Sequence, residues 1–258
     1  MSTSPGVSPA RLNFIRPLSP SASVRPPKGD DWTFEPKWDG FRFQIIKDDA
    51  GVRLYSRHGA EYTDRLPRMT AAFARLSAKS AILDGELVLL DPRGVAHFYH
   101  LMAQMRTSDP DENQLMFLVF DLLHQDGVDL RGLPLSERKR DLHRLCVTSR
   151  LPLLREVQTF PNGELLFEHY INRFEFEGVV GKRLSSRYMS GPSRSWTKSK
   201  CPNWRRANAN RGKLFERPQM PALTEGQRAL IKKRETLRQI QDLTLSYFPP
   251  CASFLNSR

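Results

Sequence analysis

Lys37-Trp38-Asp39-Gly40-Phe41-Arg42 has the form K-x-D-G-x-R and stands where one β-rich stretch, beginning at Trp32, turns into the next. A lysine attacks as a nucleophile only as the neutral amine, which calls for desolvation or neighbouring cations. Here Arg42 follows five residues on, and Trp38 and Phe41 supply apolar flanks. Gly40 suits a tight turn or a close approach to a nucleotide, and Asp39 suits a loop held by backbone hydrogen bonds. Outward from this turn the chain alternates short β-rich runs with helical segments. The runs are 32–46, 52–56, 81–90, 115–123, 153–160 and 177–184. Leu66, Met69, Phe73 and Leu76 form one apolar helical stripe, and Phe167, Tyr170, Ile171 and Phe174 a second. Leu142 and Leu145 lie on a third helix, which Ser136 is placed to cap after the turn Gly132-Leu133-Pro134. Strands and helices without a strict βαβ rhythm predict an α+β fold with largely antiparallel sheets.

The composition narrows the function. The 258 residues carry 40 Lys+Arg against 28 Asp+Glu, a net charge of +12. Residues 201–258 hold eleven of the basic and four of the acidic side chains, a local +7 that suits a polyanionic partner. No run approaches the ~18 apolar residues of a membrane span, and no secretory leader is visible, so a cytoplasmic, nucleoid-associated protein is expected. Three scattered cysteines, Cys146, Cys201 and Cys251, fit neither a disulfide framework nor a zinc spacing. The chain has no G-x-S-x-G, Walker A, G-x-G-x-x-G or H-E-x-x-H string.

Five further strings follow the first in order. They are Ser56-Arg57-His58-Gly59, Leu83-Asp84-Gly85-Glu86-Leu87-Val88, Phe117-Leu118-Val119-Phe120-Asp121-Leu122-Leu123, Glu177-Gly178-Val179-Val180-Gly181-Lys182-Arg183 and Trp196-Thr197-Lys198-Ser199-Lys200. The set resembles the adenylation domain of bacterial ATP-dependent DNA ligases, in particular the ligase module of those that serve end joining, over about residues 14–200. The resemblance implies a nucleotidyltransferase (ATP-grasp-like) fold and a set of roles. Lys37 would attack the α-phosphate of ATP, expel pyrophosphate and carry AMP as a phosphoramidate. Lys182, Lys198 and Lys200 would neutralise phosphate charge and favour the neutral Lys37 amine. Glu177 would hold Mg2+, with Mn2+ an alternative, and Glu86 would accept a hydrogen bond from the ribose. Phe120 would stack on adenine with Val180 on its other face, and Arg42 and Arg57 would contact nucleotide or DNA phosphates.

The resemblance divides the chain into a Pro- and Ser-rich extended arm (1–31), with six of the 19 prolines, an adenylation domain (32–200) and a basic tail (201–258). Thr224-Glu225-Gly226-Gln227 has the pattern of a capping box, opening a helix to about Leu243. The tail is too short for the OB-fold barrel that follows this domain in complete ligases. Arg205, Arg206, Lys232, Lys233 and Arg234 are its candidate contacts to DNA phosphates. Nicked or broken duplex DNA is the expected partner, with an end-joining or repair protein supplying a clamp. K-x-D-G and E-G-x-V-x-K are shared with RNA ligases and GTP-using capping transferases, which nucleotide labelling separates. A decayed ligase acting as an accessory binder is a third reading, opposed by the intact Lys37, Glu86, Glu177, Lys182, Lys198 and Lys200.

Overall fold

The structure is a computed structural model that describes residues 11–92, 94–171 and 176–211, with the backbone alone at 169–171. The elements below all lie in one compact unit that ends at Ala209. In chain order the strands are β1 (Leu18–Ala22), β2 (Trp32–Lys37), β3 (Phe41–Asp48), β4 (Gly51–Ser56), β5 (Ala81–Leu89), β6 (Leu115–Gln125), β7 (Val128–Asp129), β8 (Leu154–Glu156), β9 (Gly178–Arg183) and β10 (Gly191–Lys200). The helices are α1 (Pro67–Ala74), α2 (Phe98–Gln104), α3 (Leu135–Ser149), α4 (Gly163–Leu165, continuing as a wider π turn over Leu166–Ile171) and α5 (Pro202–Ala207).

Two sheets result, ordered β1-β10-β9-β2 and β4-β3-β5-β6-β7, with β8 added beside β6. Pairs β1–β10 and β6–β8 are parallel and the rest antiparallel, as the α+β expectation required. The expected arm contributes β1, whose one proline, Pro20, sits on an edge strand where a missing N–H costs little. Period-2 alternation sorts the side chains of β3. Phe43 and Ile45 enter the large core with Leu66, Met69 and Phe73 of the α1 region, while Ile46 joins Leu18, Leu135, Tyr188 and Trp196 between the sheets. A third cluster covers the outer face of the four-stranded sheet, where Phe34 and Val179 meet Leu166 and Phe167. Tyr170 and Ile171, expected on the same stripe as Phe167, have no described side chains, and Phe174 lies outside the described residues.

One cap expectation fails. Helix α3 begins one residue before Ser136, whose backbone N–H donates to the Leu184 carbonyl at 3.0 Å, and its cap position is Pro134, with no side-chain bond. A preset proline φ opens this helix in place of a hydroxyl. Among the described residues no helix is long and apolar enough to cross a membrane. The helix expected over 224–243 lies outside the described residues.

Candidate functional site

The turn Trp38–Gly40 carries the chain from the end of β2 into β3, so it joins the two sheets. Gly40 is required by a close approach: a Cβ there would collide with the Leu87 carbonyl. Trp38 anchors the turn edge-on against Phe176, with ring centroids 4.9 Å apart. On the four-stranded sheet, Lys37 and Lys200 both lie opposite Gly178, Glu35 and Lys198 opposite Val180, and Trp196 opposite Lys182. Alternation puts all of these on one face. Gly178 lets β9 pass close to β10, since a Cβ there would meet the Ser199 carbonyl.

Glu177 organises one end of this face. Lys37 Nζ donates to its Oε2 at 2.6 Å, and Lys200 Nζ lies 2.6 Å from its Oε1. Burial works to raise the Glu177 carboxyl, but Lys37 and Lys200 outweigh it and hold the group below the usual carboxylate range. Lys198 stands beside them with no hydrogen bond or ion pair from its ammonium among the described residues. Burial, then the charges of Lys37, Lys200 and Arg57, push it below the ordinary lysine value. Arg57 is exposed just after β4 and, among the described residues, its guanidinium donates to Ser19 Oγ alone, at 3.4 Å. This end of the sheet therefore concentrates cations around one carboxylate.

Lys182 is not among them. Its ammonium is buried, 2.7 Å from Glu35 Oε2 and 3.3 Å from the Phe120 carbonyl, and lies over the rings of Phe120 (4.3 Å) and Trp196 (4.0 Å). Glu35 Oε1 in turn meets Lys139 Nζ of α3 at 2.6 Å. Burial pushes Lys182 down to about 8, against the attraction of Glu35. Glu35 and Lys139 are site residues that sequence reasoning missed. A signal for Glu35 was present, because a carboxylate two residues before Lys37 on a strand shares its face.

Arg42 is held by contacts within the chain. It forms a bidentate pair with Asp84, Nε to Oδ1 at 2.9 Å and Nη2 to Oδ2 at 2.6 Å, while Nη1 donates to the Leu18 carbonyl at 2.5 Å. Its guanidinium lies 5.2 Å from the centre of the Phe120 ring. Arg42 thus lies against the aromatic ring with its guanidinium paired to Asp84. Phe120 sits where the β5–β6 register slips, with Asp84 opposite Asp121 and Gly85 opposite Val119, so a bulge sets the ring on the inner face. Glu86 lies across from Arg42 on β5, and burial raises its carboxyl to about 7 although Lys37 and Arg42 draw it down.

The structure thus brings together Lys37, Glu86, Glu177, Lys198 and Lys200, with Arg57 near the rim. Lys182, Phe120 and Arg42 form an adjoining buried cluster, and Val180 lies between Glu35 and Lys198. Arg205 and Arg206 are exposed on α5, next to Trp204, whose ring lies 4.7 Å from Lys200 Nζ. Lys232, Lys233 and Arg234 lie outside the described residues.

Comparison with known proteins agrees with this geometry. The family profile for the ATP dependent DNA ligase domain matches residues 18–200. The multifunctional non-homologous end joining protein LigD of Pseudomonas aeruginosa is 36% identical over 188 residues, covering 73% of this chain and 22% of that protein. The bifunctional LigD of Bacillus subtilis is 31% identical over 205 residues, covering 71% of this chain and 33% of that protein. This chain therefore spans at most a third of the length of these two curated relatives. Among solved structures, the ligase domain of Mycobacterium tuberculosis LigD superposes with a TM-score of 0.62 at 31% identity, over 71% of this chain and 60% of that one. A mycobacterial DNA ligase D complexed with ATP and MES gives 0.62 at 30%, over 73% of this chain and 62% of that one.

Proposed function

This chain belongs to the ATP-dependent DNA ligase family, and from that premise we propose that Lys37 is the residue on which it carries AMP. The neutral amine attacks the α-phosphate of ATP; the new N–P bond forms as the bond to the bridging oxygen breaks, and pyrophosphate leaves. AMP then passes to the 5′-phosphate of a broken DNA strand, and the neighbouring 3′-hydroxyl displaces it to close the backbone. The observation that carries the reading is the sharing of one carboxylate, Glu177, by Lys37 and Lys200, with Lys198 beside them. An incoming triphosphate competes with Glu177 for these ammonium groups and draws them onto its oxygens. Phosphoryl transfer needs positioning and charge neutralisation above all, and this cluster offers both.

Glu86 suits a ribose hydroxyl, while Phe120 and Val180 suit the two faces of the base. Glu177 and Glu86 are hard oxygen donors, and the described residues contain no group of three His, Cys, Asp or Glu side chains arranged to hold a metal. That donor set fits magnesium or manganese, which take one or two carboxylates and complete their shell with phosphate oxygens and water. When bound, the ion supplies charge neutralisation on the phosphates, and Glu177 is the side chain that would hold it. DNA as substrate rests on the family and on exposed Arg57, Arg205 and Arg206, and an end-joining context rests on the relatives; a cytoplasmic, nucleoid-associated location is what a DNA substrate would require. Labelled ATP or GTP with magnesium, followed by denaturing electrophoresis, tests the reading. A covalent AMP adduct from ATP that Lys37→Ala abolishes supports it. Labelling from GTP alone, or labelling that survives Lys37→Ala, contradicts it.

A further inference from the structure

Tyr188 stands in the loop between β9 and β10, outside every string that suggested the function. Its side chain is buried, and its ring packs against Trp196 with centroids 6.1 Å apart and against the Arg138 guanidinium at 5.9 Å. A phenylalanine would fill that space equally well. The hydroxyl, however, is used to its full capacity. It donates to Asp84 Oδ2 at 2.6 Å and accepts from the Leu18 backbone N–H at 3.0 Å and from Arg42 Nη2 at 3.4 Å.

These partners come from three distant parts of the chain. Asp84 lies in the L-D-G-E string two residues before Glu86, Arg42 closes the K-x-D-G-x-R string, and Leu18 opens the edge strand β1. Asp84 is fully buried, and both its oxygens hold Arg42, so the phenol adds a third hydrogen bond to a carboxylate already held at both oxygens. Arg42, Lys182 and Trp196 all pack against the Phe120 ring, at 5.2, 4.3 and 6.0 Å from its centre. A buried network of this kind is rigid only while every member is satisfied.

We propose that Tyr188 is a positioning residue of the nucleotide site: its hydroxyl locks the Asp84–Arg42 pair behind Phe120 and so holds that ring ready to stack on the purine of ATP. The proposal rests on the adenylylation reading above and extends it to a residue acting through others. A loosened ring weakens capture of the nucleotide and leaves the chemistry at Lys37 untouched. The expected signature is a change in the ATP concentration needed, with the saturated rate preserved.

The experiment measures adduct formation against ATP concentration in the full chain for wild type, Tyr188→Phe and Asp84→Asn, with melting temperatures taken alongside. One lost hydrogen bond of about 1 kcal/mol corresponds to roughly a fivefold rise in half-saturating ATP. Tyr188→Phe should show that rise with a saturated rate within about twofold of wild type. Asp84→Asn keeps the side-chain size, weakens the same contacts and should raise half-saturation in the same direction. Repeating the ATP titration at a lower temperature supplies the reading if Tyr188→Phe melts below the first assay temperature. Half-saturation unchanged in the folded variants, or a fall in melting temperature with no change in half-saturation, overturns the role of Tyr188 alone. A wild-type chain that forms no adduct overturns the adenylylation reading and this role with it.

Discussion

Two carboxylates on one face of the four-stranded sheet, Glu177 and Glu35, each sit between two lysines, and the two groups differ mainly in burial. Around Glu177 the side chains of Lys37 and Lys200 are 23% and 33% exposed. Around Glu35 those of Lys182 and Lys139 are 1% and 11% exposed. Opposite charges at the same 2.6–2.7 Å separations serve different ends in the two places. Water can replace Glu177 for its lysines, so that trio can open to a phosphate at small cost. No water reaches Lys182, so the second trio behaves as a strut tying α3, the sheet and Phe120 together.

The sharpest break between the two groups is at the lysines. Lys37→Arg should abolish adduct formation as completely as Lys37→Ala, because a guanidinium stays protonated and cannot attack. Lys182→Met should still form some adduct in a folded chain; complete loss without unfolding would move Lys182 into the reacting group. Next come the carboxylates. Glu177→Ala should lower adenylylation at least about a hundredfold, as removal of a single electrostatic contact to a transition state commonly does, and should cost less stability than Glu35→Ala, because the lysines it leaves behind keep contact with water. Glu35→Ala strands a buried ammonium and should cost about 3–5 kcal/mol, visible in a denaturant titration. Similar stability losses in both variants would erase the distinction.

Glu86 gives a smaller, pH-dependent effect. Its folded-state carboxyl is raised to about 7 by burial, so the folded form keeps a proton that the unfolded form releases near the usual 4.5. Its contribution to stability is therefore complete below pH 4.5 and is lost as pH rises through 7. Glu86→Gln should match wild type in acid and exceed it in melting temperature at pH 8; a constant offset across that range would place the titration elsewhere. The smallest effect belongs to Arg57, which is exposed and weakly held. Arg57→Ala should raise half-saturating ATP only a few-fold, and more weakly at high salt.

How much of this was legible in the sequence depended on whether a feature is local. The strands around K-W-D-G and E-G-V-V-G-K and the α1 stripe Leu66-Met69-Phe73-Leu76 follow from short-range period, whereas the convergence of Lys37, Glu177, Lys198 and Lys200, the first two of them 140 residues apart, was implied only by the resemblance that the ordered strings carry. Strand β1 did not read as a strand because its pairing partner is more than 170 residues away and its own sequence is Leu-Ser-Pro-Ser-Ala. The role of Arg42 was hidden for the same reason, since Asp84 is 42 residues away and Tyr188 146. Phe120 owes its direction to a bulge that no alternation pattern announces. Lys182 shares the face of Lys37, and the depth added by Phe120 and Trp196, with the pairing to Glu35, separates its environment from that of Lys198.

The most direct test is to incubate the chain with ATP and magnesium, digest it and map the adduct by mass spectrometry. The peptide bearing Lys37 should carry an AMP-sized increment, while the peptides bearing Lys182, Lys198 and Lys200 remain unmodified. An increment on Lys182, or none on Lys37 while another lysine is labelled, would contradict the assignment of the open group as the reacting one and the buried group as its support.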